Sequence, residues 1–419
     1  MSKKKILLLG DDIRVVSGVS LICKNIILNG VSEFEWVQLA AQANNPDNGQ
    51  IIDVSKSVDE ITKTTGSYVR LYCTTGYGNQ TTLRNIISQE RIDCILHITD
   101  PRRWNWLYRM ENEIRQKIPI CYYHVWDNYP LPHYNKGVYE SCDFIGCISK
   151  VTQDCVSKVS PKTNAKYIPH GVNTEIFKPI DKEISDSCKK NILPDGCDFL
   201  LFCNNANIPR KQLPLLIESF SWFCEAIGKD KAKKVALMLH TNPTNKSGSN
   251  LIQVVDDLYN ELNILFSSSV VDDSTLNQMY NTADVTINVA SNEGFGLSTA
   301  ESLSAGTPVI VSDTGGLGEQ VTDSELWGFK VKPKIKNLIG SSSSPYLYEN
   351  ICDHTDIGSA ILAMYNKNNS EISDMGKLGR EFIQKNYNIN NMCSDLYKNI
   401  SSSICEFVPQ KRISITKVT

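Results

Sequence analysis

The sequence has no run of 18 or more apolar residues, so a membrane-spanning helix is not expected. Its start, MSKKKILLLGDD, has basic residues but too short an apolar core for a secretory leader, and it reads instead as a first buried strand. There are 14 cysteines but no C-x-x-C pair, so buried free thiols are a better reading than zinc sites or a disulfide framework. The formal net charge of -3 gives no electrostatic reason to expect nucleic-acid binding. No D-x-D motif occurs, and the acidic pairs at 11–12 and 272–273 are adjacent loop acids, so no metal is expected. The stretch GDDIRVVSGV after the first apolar run lacks G-x-G-x-x-G, which argues against a dinucleotide-dependent oxidoreductase. No short-period repeat is visible, which argues against solenoids and propellers.

What is present is a recurring unit of apolar run, polar loop and amphipathic helix. KILLL (5–9) leads through Gly18 into a helix, and RIDCILHITD (91–100), PICYYHVWD (119–127), CDFIGCIS (142–149) and AKYIPHGV (165–172) read as further strands. PRRWNWLYRMENEIRQK, between two of them, reads as a packed helix, with a membrane-interface helix as the alternative. Residues 173–197 carry prolines, charges and no strong period, which marks a linker. The pattern then restarts with DFLLFCNNA (198–206), KVALMLHT (234–241), DVTINVA and PVIVSD (308–313). IKNLIGSSSSPYLYEN (335–350) looks like a surface excursion, 371–405 like two amphipathic helices, and PQKRISITKVT like a basic, frayed end. Strands alternating with helices imply parallel sheets covered on both faces. In a chain of 419 residues that means two doubly wound halves in tandem.

One segment concentrates the chemistry. SNEGFG follows an apolar strand and precedes the helix-like LSTAESLSA, with Gly306 as a C-terminal stop. It is a strand-to-helix loop at the carboxyl end of a parallel strand, where ligands of open α/β sheets bind. Its glycines let a ligand approach the backbone, and the helix start offers N–H groups and a positive dipole end to a phosphate. Glu293 lies in the loop, and Glu301 roughly 6 Å along the helix. Carboxylates suit sugar hydroxyls rather than phosphates. The combination points to a phosphate ester with two polyhydroxyl parts, a nucleotide sugar.

The stretch EGFGLSTAESLSAGTPVIVSDTGGLGE (293–319) resembles the signature of retaining glycosyltransferase family 4 of the glycosyl transferases group 1, with its E-x7-E pair at Glu293 and Glu301. CDFIGCISKVTQDCV with YIPHGVNTEIFKP, LNQMYNTADVTINVAS and MGKLGREFIQKNY extend the resemblance over most of the chain. It implies the GT-B fold, an α/β architecture of two Rossmann-like doubly wound domains facing a central cleft. The expected layout is an acceptor-side domain over 1–175, a linker over 176–197 and a nucleotide-sugar domain over 198–385. A C-terminal helix and tail over 386–419 would return to the first domain.

The resemblance also implies roles. Glu301 would hold the ribose hydroxyls and Glu293 the donor sugar. Gly294, Phe295, Gly296 and Leu297 would line the sugar and phosphates through their backbones. In the family an Arg and a Lys five apart grip the diphosphate. In NNANIPRKQ the lysine is Lys211, but Ala206 stands where the arginine is expected, and Arg210 is the natural substitute. Gly18 would let the donor approach the first loop. His124 and Asp127 are candidates for the group near the reacting carbon, with the preference on Asp127. Asp100 would touch the acceptor, and His170 would shape the hinge. No obligatory cofactor or metal is implied, only a UDP- or GDP-sugar as donor and a carbohydrate or lipid-linked acceptor. A cytoplasmic protein, soluble or peripherally bound to a membrane, is expected. A sugar-nucleotide epimerase of the same fold and a non-catalytic nucleotide-sugar-binding protein are the rival readings.

Overall fold

Continuous apolar runs such as Ile6–Leu9 have no polar face to show to water, so they are stable only as strands covered on both sides. A computed structural model, which describes residues 3–411, places them so. The end of the segment read as frayed, 412–419, lies outside the described residues. The chain forms two units. Unit 1 comprises residues 1–169, 340–345 and 390–419, and unit 2 comprises 170–339 and 346–389.

Unit 1 has eight strands: β1 (Lys4–Asp11), β2 (Phe34–Gln42), β3 (Ile51–Asp53), β4 (Val69–Thr75), β5 (Cys94–Ile98), β6 (Ile120–His124), β7 (Phe144–Cys147) and β8 (Ala165–Tyr167). Their order is β3-β4-β2-β1-β5-β6-β7-β8, with every pairing parallel except β3 to β4. The C-terminal helix Ile389–Cys405 packs on this unit through Tyr397, whose ring meets Phe34 and Trp36 and whose hydroxyl donates to the Ile26 carbonyl at 2.5 Å.

Unit 2 has β9 (Phe199–Asn204), β10 (Val235–His240), β11 (Ile264–Ser267), β12 (Val285–Asn288), β13 (Val309–Ser312) and β14 (Gly328–Val331), all parallel, in the order β11-β10-β9-β12-β13-β14. The excursion at 335–350 is an antiparallel hairpin of β15 (Ile335–Ile339) and β16 (Leu347–Ile351).

Each sheet has one place where the order reverses, and there the loops leaving two neighbouring strands diverge to opposite faces and open a crevice. In unit 1 it lies between β1 and β5, and in unit 2 between β9 and β12.

Two segments depart from the sequence reading. The segment read as a linker contains a helix, Lys182–Ile192, capped by Asp181. It is tied to unit 2 by Ser185, whose hydroxyl donates to the Asn281 carbonyl at 2.6 Å, and by Lys189, paired with Asp284 at 2.5 Å. None of its residues is buried, and its tertiary polar contacts stabilise it. The segment after β5 is not one helix but a 3-10 turn (Pro101–Trp104) and two short helices (Asn105–Tyr108 and Glu111–Ile114). Trp104 and Met110 sit at non-helical angles between the pieces. Burial of Trp104, Leu107, Tyr108, Met110 and Ile114 in the unit's core overrides helical continuity. Among the described residues no helix is long and apolar enough to cross a membrane. All 14 cysteines are free thiols, most of them buried.

Candidate functional site

The two loops at the unit 2 switch point carry the candidate residues. After β9 the chain turns through Pro209–Lys211, a 3-10 turn that ends at Gln212 with φ 53 before helix Leu213–Ile227 begins. After β12 it passes through Ser291, Asn292 and Glu293 into helix Leu297–Ala305. Backbone bonds join the loops: the Ser291 N–H donates to the Arg210 carbonyl at 2.8 Å. Arg210 returns the contact, its Nη1 donating to the Asn292 carbonyl at 2.8 Å and to Glu293 Oε2 at 3.0 Å. The Lys211 ammonium also donates to Glu293 Oε2.

Glu293 and Lys211 are both largely withdrawn from water, and the Arg210 side chain is half exposed. Burial pushes the Glu293 carboxyl up, but the charges of Lys211 and Arg210 outweigh it and hold the group at about 2. Burial lowers the Lys211 ammonium from its ordinary value, with Glu293 opposing that shift. The three groups form one cluster of two cations and one anion, which keeps a net positive charge.

The glycine loop is shaped for close approach. Gly296 sits at φ 93, and a Cβ there would lie 2.4 Å from Leu317 Cδ2, so both backbone angle and space require glycine. Gln320 fixes the loop from behind, its Nε2 donating to the carbonyls of Phe295 at 2.7 Å and Gly296 at 2.9 Å. Helix Leu297–Ala305 has no side-chain cap at its start, which leaves its first turn to a ligand or to water. The ring of Phe295 packs edge-on against His170 and Tyr387. Burial drives the His170 imidazole down to about 3, with the Glu293 charge opposing, so it is neutral there.

Glu301 points elsewhere. Its Oε2 accepts from the Tyr280 hydroxyl at 2.8 Å, and that hydroxyl accepts from Asn204 Nδ2 at 2.9 Å. Burial raises the Glu301 carboxyl to about 8, and the Tyr280 hydrogen bond only partly offsets it. Glu301 is therefore mostly a neutral acid at neutral pH, while Glu293 is ionised. The sequence reading found neither Tyr280 nor Asn204 nor Gln320. The first lies inside an ordinary helical period, and the other two are amides whose partners only the folded chain supplies.

The remaining candidates lie in unit 1. Gly18 is the first residue of helix Gly18–Gly30, whose cap Ser17 accepts from the Ser20 N–H at 3.0 Å and donates to Asp11 at 2.9 Å. Asp100 caps the turn after β5 and grips Arg102, with Nε to Oδ1 at 2.8 Å. Hydrogen bonding to Asp100 raises the Arg102 guanidinium, and the Asp127 charge adds to it against burial, so Asp100 and Asp127 flank one arginine. Asp127 is half-buried, three residues past the end of β6. His124 is the last residue of that strand and is fully buried, with Nε2 3.0 Å from the Tyr139 hydroxyl and its ring tilted between Tyr122 and Trp126. Burial lowers its imidazole to about 3, so it is neutral and closed to water. Among the described residues no cluster of three or more His, Cys, Asp or Glu is placed to hold a metal ion.

Comparison with known proteins bears on this geometry. Residues 188–341 match the family model Glycosyl transferases group 1. An uncharacterized glycosyltransferase of Methanocaldococcus jannaschii is 27% identical over 215 residues, which span 48% of this chain and 50% of the relative. The chain thus aligns with about half the length of that curated relative. Among solved structures, Anabaena HepE in complex with UDP and glucose superposes with a TM-score of 0.71 at 14% identity, covering 95% of this chain and 100% of that one. Sucrose-phosphate synthase from Thermosynechococcus elongatus superposes with a TM-score of 0.70 at 16% identity, covering 96% and 100%. The fold is GT-B: mostly parallel sheets with helices, in two Rossmann-like units.

Proposed function

We propose that the protein is a retaining glycosyltransferase of family 4 that moves a sugar from a UDP- or GDP-sugar to an acceptor hydroxyl. The observation that supports this most is the meeting of Arg210, Lys211 and Glu293 at the unit 2 switch point, beside an uncapped helix start. The match of residues 188–341 to the group 1 family model and the UDP-bound neighbour support the same reading. The diphosphate lies against Arg210, Lys211 and the start of helix Leu297–Ala305. Glu293 accepts from the donor sugar, and Glu301 accepts from the ribose. As the bond from the anomeric carbon to the diphosphate oxygen breaks, negative charge develops on that oxygen, and the two cations and the helix start stabilise it. The acceptor oxygen bonds to the same face of the carbon, and its proton passes to the departing diphosphate.

The acceptor is assigned to unit 1, to Asp100 after β5 and the region of Asp127 after β6, while Gly18 after β1 lets the donor approach. Asp127, rather than the closed-off His124, acts next to the reacting carbon. The acceptor is a carbohydrate or lipid-linked hydroxyl, and the protein works in the cytoplasm, soluble or peripherally bound to a membrane.

A panel of nucleotide sugars, scored by thermal shift and by release of nucleotide with and without acceptors, tests the reading. One donor is expected to raise the melting temperature, and Asp127→Ala to keep that shift while losing turnover. A panel with no stabilising donor overturns the proposal. Nucleotide released without any acceptor, with the sugar altered, identifies an epimerase instead.

A further inference from the structure

Arg210 is held at both ends by the loop after β12. Its carbonyl accepts from the Ser291 N–H at 2.8 Å and from the Ser291 hydroxyl at 3.2 Å, and its Nη1 donates to the Asn292 carbonyl at 2.8 Å. The arginine side chain is half exposed, so hydrogen bonds rather than packing fix its direction. Asn292 is buried, and its side chain is bonded to the hairpin. Its Nδ2 donates to the Tyr348 carbonyl at 2.8 Å, and its Oδ1 accepts from Asn350 Nδ2 at 2.8 Å. Strand β16 thus supplies partners for both ends of the amide. That strand stands outside the six-stranded sheet of unit 2, since among the described residues β15 and β16 pair only with each other. A two-stranded hairpin is marginally stable by itself, so the bonds to Asn292 tie it to the unit as well as the reverse. Tyr348 and Asn350 also lie beyond the stretch, 188–341, that matches the family model.

We propose that Asn350 is a positioning residue for the diphosphate: it fixes Asn292, and Asn292 aims the Arg210 guanidinium. This rests on reading the site as a donor site. The two cations differ in how they are held. Lys211 is largely withdrawn from water and fixed by its surroundings, whereas Arg210 reaches toward solvent and depends on its bonds. A guanidinium takes two phosphate oxygens at once only when its plane is correctly turned, because hydrogen bonds weaken steeply with angle. An arginine already held in place also loses less side-chain freedom when the ligand arrives. The hairpin therefore acts on the exposed cation through a relay of neutral groups, from the Asn350 amide to the Asn292 amide, and from the Asn292 carbonyl to Arg210 Nη1.

Titration calorimetry of the full chain with UDP and with GDP tests this. The wild type is expected to bind one of the two. Asn350→Ala should bind it about five-fold more weakly, the worth of one hydrogen bond, and Arg210→Met about ten-fold more weakly. In the double variant the Asn350 change should cost nothing further, because the cation that it steers is gone. A merely structural role for Asn350 would make the two losses add. Asn350→Thr removes the same amide with a residue that suits a strand, and it provides the reading if the alanine variant fails to fold. Nucleotide bound as tightly by the Asn350 variants as by the wild type overturns the inference, and so do additive losses, while the donor-site reading then stands. If neither UDP nor GDP binds the wild type, the donor-site reading falls, and this inference with it.

Discussion

The loop after β12 and the helix that follows it hold two carboxylates eight positions apart, Glu301 buried and Glu293 largely so, in opposite states. Glu293 in the loop is ionised because Lys211 and Arg210 face it, and its carboxyl is held at about 2. Glu301 in the helix accepts from the Tyr280 hydroxyl, and burial, with the Asp273 charge adding to it, lifts it to about 8. Burial by itself therefore does not fix a charge state; the charges of the neighbours decide it.

The contrast is broken most severely at Lys211. Lys211→Met leaves Glu293 with only a half-exposed arginine, and should cost about 3 kcal/mol of unit stability and turnover with it. In a thermal melt at pH 7 that is on the order of a 10 °C loss. The Glu293 carboxyl rises once the lysine is gone, so the deficit should shrink as the pH falls toward 4 and the group takes up a proton. A deficit that does not change with pH would show that Lys211 acts by packing alone.

Glu301 tests the opposite sign. Its folded value, about 8, lies above the ordinary 4.5, so its contribution to stability is complete below pH 4.5 and is lost as the pH rises through 8. Glu301→Gln should melt like the wild type near pH 4.5 and increasingly above it toward pH 8, by an amount on the order of a few kcal/mol. The same variant should weaken binding of the best nucleotide sugar by about ten-fold, because on the proposed reading a ribose diol meets one amide oxygen in place of a carboxylate that can accept from both hydroxyls. Parallel melting curves at every pH would contradict the assignment of Glu301 as a buried neutral acid.

The smallest expected effect is at Tyr280. Tyr280→Phe removes the hydroxyl between Asn204 and Glu301 and should cost about 1 kcal/mol. Because that hydroxyl is what lowers the Glu301 carboxyl, the wild-type pH dependence should move to higher pH in the variant.

Much of this was legible before folding. Ile6–Leu9 and Val309–Val311 are continuous apolar runs that can only be covered strands, and LSTAESLSA with Gly306 behind it has the length and stop of a helix, which the structure gives as Leu297–Ala305. Helix Lys182–Ile192 was missed because its few apolar residues lie among charges and between prolines, and it is held by polar contacts to Asn281 and Asp284 that only the folded chain supplies. The break in the segment after β5 was hidden for the opposite reason, since Trp104 and Met110 fit a helical pattern and are diverted by the core they enter.

At the site, the amino-acid order establishes which groups are available: a glycine loop before a helix, one carboxylate on each side of the helix start, and a cationic pair in another loop. It also shows that the cations are Arg210 and Lys211, with Ala206 where an arginine is expected. Only the tertiary structure decided which charge meets which. Lys211 and Glu293 are 82 positions apart, and they meet because β9 and β12 are neighbours at the point where the sheet order reverses. Glu301, one helical turn further on, faces Tyr280 and not a cation. Local periodicity is written along the chain and can be read from it. A buried charge takes its state from neighbours that the sheet brings across the chain, and that information exists only once the strands are ordered.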